Sequence, residues 1–222
     1  MPRYYPMMVD LTGKPVLVVG GGVIALDKVE LFLKFEAAVA VVSPDLHPDL
    51  QAHLAAGRLR HVPRPYRAGD LDGAALAVGA TADRAVNQQV AADARAAGIP
   101  VNVVDTPAEC SFIVPSVVVR DDLVIAVSTG GASPALAKRV RRDLEARYGP
   151  VYGEFVALLR ATRARLMREG APFPDRQGFF ECALASDTLD LVDRGDLAAV
   201  RARFDEMVEH YLAHRPAPAA RP

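Results

Sequence analysis

The stretch Val16–Ala25, VLVVGGGVIA, decides the fold. A run of valine and leucine leads into three glycines, and a segment with apolar residues at helical spacing follows. Gly20-x-Gly22-x-x-Ala25 matches the dinucleotide-binding fingerprint, in which glycines permit a tight turn and a close approach of the backbone to a pyrophosphate. The alternative is a strand–helix turn that binds nothing. The fingerprint predicts four cofactor-binding residues: Gly20, Gly22, Val23 and Ile24.

Short runs of valine and alanine alternate with helical segments through the first half of the chain. The predicted strands are Pro15–Val19, Ala38–Val42, Ala75–Gly79 and Pro100–Val104, and the predicted helices are Val23–Phe35, Leu46–Ala56 and Arg84–Ala97. Continuous apolar strands are covered on both faces, and strand–helix alternation requires crossover connections. The sequence therefore predicts an α/β fold, a doubly wound parallel sheet of the Rossmann type.

The pattern changes after Cys110. Two apolar runs, Ile113–Val119 and Leu123–Val127, flank Arg120-Asp121-Asp122 and predict a hairpin. A helix is predicted over Pro134–Arg147, and the chain from Val151 onward has a helical pattern. We therefore expect a nucleotide-binding domain over residues 1–112, a central segment over 113–150 and a small helical C-terminal domain over 151–222.

Composition excludes several classes of protein. Of 222 residues, 51% are hydrophobic and 24% charged, and the formal net charge is −1, which argues against disorder and against a nucleic-acid partner. No apolar run approaches the roughly 18 residues that a membrane span needs, and Met1–Lys14 has no signal-peptide core. Cys110 and Cys182 form no CxxC pair. We expect a cytoplasmic protein without a membrane partner.

The residues after the second strand bear on the choice of cofactor. This strand ends in Ser43-Pro44-Asp45, so Pro44 and Asp45 are candidates for contacts with an adenosine ribose. Asp45 would alternatively cap the helix that follows. No lysine or arginine follows the strand to receive a 2′-phosphate, so NAD is favoured over NADP.

Four segments occur in the order of one family: LTGKPVLVVGGGVIALDK at 11–28, GATAD at 79–83, GIPVNVVDTPAECSFIVPSVV at 98–118 and STGGASPALAKRVR at 128–141. Over residues 3–147 the chain resembles precorrin-2 dehydrogenase, the NAD-dependent module also found at the N-terminus of siroheme synthase. The resemblance implies oxidation of precorrin-2, a tetrapyrrole, to sirohydrochlorin. It also implies a homodimer formed through the central segment and, in some members, insertion of ferrous iron as a second substrate.

The resemblance also assigns site residues. Asp105 occupies the position of the family's essential aspartate, and a dehydrogenation that releases a proton needs a base. Alternatively, Asp105 binds backbone amides at a strand end. The resemblance places the loop of Thr81 and Asp83 beside the dinucleotide, although Asp83 would also serve as a helix cap. The remaining candidates are Val104 for the cofactor and Asn102, Ser128 and Thr129 for the substrate; no metal ligands are predicted.

Two positions depart from the family pattern, and other functions stay open. Asp27 stands where the family usually has arginine, and Glu36-Ala37 replaces the usual Gly-Ala at the end of the first helix. The rival functions are an NAD(P) reductase of another substrate and a regulatory module that binds NAD without turnover. The motif at Asn102–Phe112 argues against the first rival, and the segment STGGASP would be unexplained by the second.

Overall fold

In the computed structural model, which describes residues 4–185 and 187–214, the chain divides between Val114 and Pro115 into two units. Each unit has apolar clusters of its own. The sequence-based boundary after residue 112 lies two residues earlier, and the second boundary, after residue 150, stays a prediction.

The first unit is a parallel sheet with helical crossovers. Its strands are β1 (Pro15–Val19), β2 (Ala38–Val42), β3 (Leu59–Val62), β4 (Leu76–Gly79) and β5 (Val101–Val103). The crossovers include helices α1 (Val23–Lys34), α2 (Pro48–Ala55) and α3 (Arg84–Ala96). The strand order is β3-β2-β1-β4-β5 with every neighbouring pair parallel, which confirms the predicted doubly wound sheet. The order reverses beside β1, and ligands bind at such a reversal, outside the carboxyl ends of the strands.

Alternate residues of the strands face two separate apolar clusters. Val16 and Val18 of β1 pack in the cluster that contains the buried residues of α1, and Leu17 and Val19 pack in the cluster that contains those of α3. Val18 is fully buried. Burial on both faces explains why β1 is a continuous apolar run.

Both edges of the sheet depart from the simple pattern. The sequence analysis missed β3, which is LRHV, because an edge strand with two polar residues and partial burial lacks the apolar run of its neighbours. The other edge, β5, is covered by the chain that returns from Cys110. Ser111 donates its amide to the Val101 carbonyl at 2.8 Å, and its hydroxyl accepts from the Val101 amide at 2.8 Å.

The end of α1 shows why the family usually has glycine where this chain has Glu36. Glu36 has a φ of +56°, the left-handed conformation that glycine adopts at no steric cost after a helix. We expect Glu36→Gly to raise the free energy of unfolding by up to about 1 kcal/mol, because the relief of backbone strain exceeds the added chain entropy of glycine.

Thermal unfolding of the Glu36→Gly variant measures this effect. Glu36→Ala is the matched control, since it removes the same side chain and keeps the strained φ. An equal gain in both variants would assign the effect to the glutamate side chain and contradict the backbone explanation.

The second unit begins with the predicted hairpin and is otherwise helical. Strands β6 (Ser116–Arg120) and β7 (Leu123–Val127) are antiparallel, and Asp121 in their turn has a φ of +50°. The helices are α4 (Pro134–Arg147), α5 (Val151–Arg168), α6 (Phe173–Ala185), α7 (Thr188–Asp193) and α8 (Leu197–His214). Phe155, Phe179 and Phe204 lie in the core of this unit. In the part of the chain that the structure describes, no helix is long and apolar enough to cross a membrane.

Candidate dinucleotide site and carboxylate at the strand ends

The three glycines after β1 have three different surroundings. Gly20 has a φ of +121°, and a Cβ atom there would lie 2.4 Å from the carbonyl oxygen of Ala80. A Cβ atom on Gly21 would lie 2.0 Å from the carbonyl oxygen of Asp45. Both positions therefore exclude a side chain, because the turn passes between the ends of the neighbouring strands.

Gly22 is the position that faces open space. No atom lies within 4 Å of a Cβ built on it, and its φ of −87° and ψ of −171° suit any residue. Gly22 is the N-cap of α1 and has no capping side chain, so the first amides of this helix are available to an anion. Val23 and Ile24, in the first turn, are 60% and 47% exposed. Free amides at a helix start can bind a pyrophosphate, and the exposed apolar residues beside them can contact the rest of a dinucleotide.

A cleft of about 450 Å³ lies between this turn and the chain after β2. Its lining comprises Gly21, Gly22, Val23, Ser43, Pro44, Asp45, Leu46 and His47. The predicted residues Pro44 and Asp45 are thus brought together with Gly22 and Val23. The volume lies within the range of ligand sites.

His47 was missed by the sequence analysis, and it takes the capping role that was considered for Asp45. The side chain of His47 caps α2, since its Nδ1 accepts from the Asp49 amide at 3.3 Å. The His47 amide also donates to the Gly21 carbonyl at 2.7 Å. Asp45 is therefore not the cap, and its exposed carboxylate is the one acidic group among the described residues that line the cleft.

The loop after β4 is held by its own hydrogen bonds. Asp83 caps α3, accepting from the Ala85 amide at 2.8 Å and the Val86 amide at 3.4 Å. The Thr81 hydroxyl donates to the Asp83 carbonyl at 2.8 Å, and Asn87 exchanges hydrogen bonds with the Thr81 backbone. The capping role considered for Asp83 is therefore present. A contact of Thr81 and Asp83 with the cofactor stays a prediction.

Asp105 follows β5 at the carboxyl edge of the sheet. The Val104 amide donates to the Gly79 carbonyl at 3.0 Å, and the Thr106 amide donates to the Val103 carbonyl at 3.3 Å. This turn gives Asp105 a φ of +57° and leaves the residue exposed. Within residues 4–185 and 187–214, no group donates a hydrogen bond to its carboxylate. The alternative in which Asp105 binds backbone amides is therefore not what the structure has.

Asn102 lies below Asp105 and is buried. Its side-chain amide donates to the Phe112 carbonyl at 3.1 Å, and the Cys110 thiol donates to the Val103 carbonyl at 3.2 Å. Both groups tie the returning chain to β5. In the structure, Asn102 therefore stabilises the loop that begins at Asp105. A direct contact of Asn102 with the substrate stays a prediction.

The second glycine turn lies in the second unit, between β7 and α4. The exposed Ser128 accepts from the Gly130 amide at 3.1 Å, and Thr129 accepts from the Ser133 amide at 3.0 Å. Ser133 caps α4. On this helix the exposed Arg139 pairs with Asp143, and the partly buried Arg141 pairs with Glu145. The Ser128 hydroxyl stays exposed and has hydrogen-bonding capacity for a ligand.

Metal ligands are not grouped in the described parts of the chain. Within residues 4–185 and 187–214, no three histidine, cysteine, aspartate or glutamate side chains are placed to hold a metal ion.

Comparisons with known proteins cover both units. Residues 7–116 match a family model described as putative NAD(P)-binding, and residues 120–147 match one described as sirohaem biosynthesis protein central. The siroheme synthase of Methylobacillus flagellatus is 44% identical over 79% of this chain, which corresponds to 38% of that protein. The siroheme synthase of Chromobacterium violaceum is 39% identical over 93% of this chain and 44% of that protein. The chain thus spans about two fifths of the length of these curated relatives.

A solved structure resembles the chain over most of its length. SirC, precorrin-2 dehydrogenase, matches 94% of this chain and 100% of that chain, with a TM-score of 0.70 and 29% sequence identity. The similarity therefore extends into the helices after α4, which neither family model covers.

Proposed function

Because the chain belongs to the siroheme synthase family of NAD-binding proteins, we propose that it oxidises precorrin-2 to sirohydrochlorin with NAD⁺ as the hydride acceptor. The similarity to a precorrin-2 dehydrogenase over 94% of the chain carries this proposal. The supporting observation within the chain is an exposed carboxylate, Asp105, at the same edge of the sheet as the uncapped start of α1.

The proposed reaction removes two electrons and two hydrogens from the substrate. A carbon–hydrogen bond breaks, its electron pair leaves with the hydrogen as hydride, and a second hydrogen leaves as a proton. NAD⁺, when bound, supplies the acceptor for the hydride. The Asp105 carboxylate accepts the proton and later releases it to water.

The remaining residues bind and orient. The amides at the start of α1 hold the pyrophosphate, Val23 and Ile24 cover its flank, and the Asp45 carboxylate accepts hydrogen bonds from the ribose hydroxyls. Asp45 also disfavours a 2′-phosphate by charge repulsion, which favours NAD over NADP. We propose the Ser128 hydroxyl as a hydrogen-bond donor to the carboxylates of the tetrapyrrole. The Thr129 hydroxyl already donates to the Ser133 carbonyl at 3.1 Å, so we propose that Thr129 contributes by holding this turn beside the substrate.

Anaerobic incubation of the protein with precorrin-2 and NAD⁺, followed by absorbance of the tetrapyrrole and of NADH, tests this function. We expect equal amounts of sirohydrochlorin and NADH. A parallel reaction with ferrous iron tests whether the chain also inserts the metal. Binding of NAD⁺ without turnover would instead support the regulatory module.

We also propose that the protein is a homodimer formed through its central segment. A two-stranded sheet such as β6–β7 is marginal in isolation, and its edges are open to pairing with another chain. Beside it in sequence, Leu136 and Val140 are one helical turn apart on α4 and are 54% and 37% exposed. A second copy of the chain would cover both features.

Light scattering at micromolar concentration is expected to give twice the mass of the chain. The double variant Leu136→Asp, Val140→Asp should give the mass of a monomer, because two charges in an apolar contact are costly to desolvate. Leu54→Asp, at an exposed leucine of α2, is the control and should stay dimeric. A wild-type protein with the mass of a single chain would refute this proposal.

We place the reaction in the cytoplasm. Cys110 and Cys182 are free, and the Cys110 thiol is used as a hydrogen-bond donor within the first unit. A reducing compartment preserves such thiols.

A further inference from the structure

His47 connects the chain after β2 to the glycine turn after β1. Its amide donates to the Gly21 carbonyl at 2.7 Å, and it lines the cleft together with Gly21 and Gly22. Because Gly22 is the N-cap of α1, His47 lies beside the turn whose free amides are available to a pyrophosphate. The side chain of His47 is 29% exposed, so part of its imidazole ring is open to a ligand.

A hydrogen bond fixes which ring nitrogen of His47 carries the hydrogen in the neutral imidazole. Nδ1 accepts from the Asp49 amide at 3.3 Å, at the start of α2, so Nδ1 has no hydrogen of its own. The Asp49 carboxylate lies 3.6 Å from Nδ1, which is beyond the distance of a hydrogen bond. Nε2 therefore carries the hydrogen and is a donor.

The Nε2 donor of His47 has no acceptor within the described chain. In residues 4–185 and 187–214, no hydrogen bond or ion pair involves this atom. Capping of α2 thus uses one edge of the ring and leaves the other edge, which carries a donor, beside the cleft.

The polar groups around the cleft select the kind of acceptor that Nε2 would meet. The exposed Asp45 carboxylate is itself an acceptor, and it suits the hydroxyls of a ribose. The first amides of α1 and Nε2 of His47 are donors, and the hydrogen bond between His47 and Gly21 joins the two segments that carry them. A phosphate only accepts hydrogen bonds and is negatively charged, so it complements both sets of donors.

We propose that His47 is a binding residue of the dinucleotide site, whose Nε2–H donates to a phosphate oxygen of the adenosine half of NAD⁺. The inference deepens the proposed function and rests on its NAD⁺ site, not on the oxidation of precorrin-2. His47 then has three contacts: its amide holds the glycine turn, Nδ1 caps α2 and Nε2 binds the cofactor. The ring keeps its Nε2 hydrogen throughout, so His47 takes no part in the proton balance of the reaction.

Two substitutions separate cofactor binding from helix capping. His47→Ser keeps a good N-cap residue and removes the Nε2 donor, whereas His47→Ala removes both, and the φ of −54° and ψ of 145° suit either residue. We expect both variants to weaken the binding of NAD⁺ and of ADP-ribose by roughly 10- to 100-fold, the usual effect of losing a hydrogen bond to a charged group. His53→Ser, at a histidine of α2 outside the cleft lining, is the control and should keep the wild-type affinity.

Calorimetric titration measures the affinities, and thermal unfolding measures the cap. Only His47→Ala should lower the Tm, by about 2–4 °C, because serine is a preferred N-cap residue and alanine is not. Wild-type affinity in His47→Ser would show that His47 only caps α2, and would overturn the inference.

Adenosine tests whether the contact is made to a phosphate. It has the base and the ribose of the cofactor but no phosphate, so its Kd should stay within about twofold in His47→Ser. An equal loss of adenosine affinity would place the contact at the ribose or the base and overturn the assignment. The ¹⁵N signal of Nε2, identified by its absence in His47→Ser, should report an Nε2–H tautomer and shift when ADP-ribose is added. An Nδ1–H tautomer would contradict the inference equally.

The inference and the proposed function fail in different ways, because binding is measured without precorrin-2. A protein that binds NAD⁺ with the expected dependence on His47 and does not oxidise precorrin-2 would refute the proposed dehydrogenation and support the inference. Normal oxidation by the wild type, together with full NAD⁺ affinity in His47→Ser, would overturn the inference and leave the proposed function intact.

Discussion

Asp105→Asn is expected to lower the turnover of precorrin-2 by about 10²–10⁴-fold, the usual contribution of a general base. The proposed dehydrogenation releases a proton, and Asp105 places an exposed carboxylate at the carboxyl edge of β5. The Kd for NAD⁺ should hardly change, because the turn glycines and the start of α1 are untouched. Stopped-flow absorbance at saturating NAD⁺ measures the turnover, and calorimetry measures the binding.

The choice of asparagine follows from the backbone. Asp105 has a φ of +57°, which asparagine tolerates and alanine tolerates less well. Asp105→Ala should therefore lose a similar factor in turnover and also some stability. Asp121→Asn, at an exposed aspartate with a φ of +50°, is the matched control and should keep full activity. Near-normal dehydrogenation by Asp105→Asn would refute the assignment of the base and send the proton to water or another group.

The sequence predicted those strands whose pattern of apolar residues matches their burial in the fold. β1 and β2 were predicted to the residue, because Pro15–Val19 and Ala38–Val42 are continuous apolar runs in a sheet covered on both faces. The edge strand β3 carries no such run. The hairpin begins at Ser116 rather than Ile113, and Pro115, which has no amide hydrogen to donate, immediately precedes it.

The candidate site was predictable only where a single turn defines it. The fingerprint located Gly22, Val23 and Ile24 because strand, turn and helix are consecutive. His47 carried no such signal, since its capping of α2 and its contact with Gly21 depend on the packing of two separate segments.

Gly22→Val is expected to abolish NAD⁺ binding while the protein stays folded. The valine side chain has room in the free protein, because no atom lies within 4 Å of a Cβ at this position and the φ of −87° is ordinary. That open space is where the pyrophosphate would approach the amides of α1. Loss of two charge-assisted hydrogen bonds, at about 1.5–3 kcal/mol each, weakens binding roughly 100- to 10,000-fold.

Gly20→Ala is the contrasting variant, because its Cβ would meet the Ala80 carbonyl at 2.4 Å and its φ is +121°. It should lower the free energy of unfolding by roughly 2–5 kcal/mol, from backbone strain and overpacking together. Calorimetric titration with NAD⁺ and thermal unfolding of both variants separate the two effects. A folded Gly22→Val protein with unchanged affinity would show that the turn only connects β1 to α1. A Gly22→Val protein that loses as much stability as Gly20→Ala would show instead that Gly22 supports the fold. The space beside Gly22 would then be filled by other atoms of the chain and would not be open to a pyrophosphate.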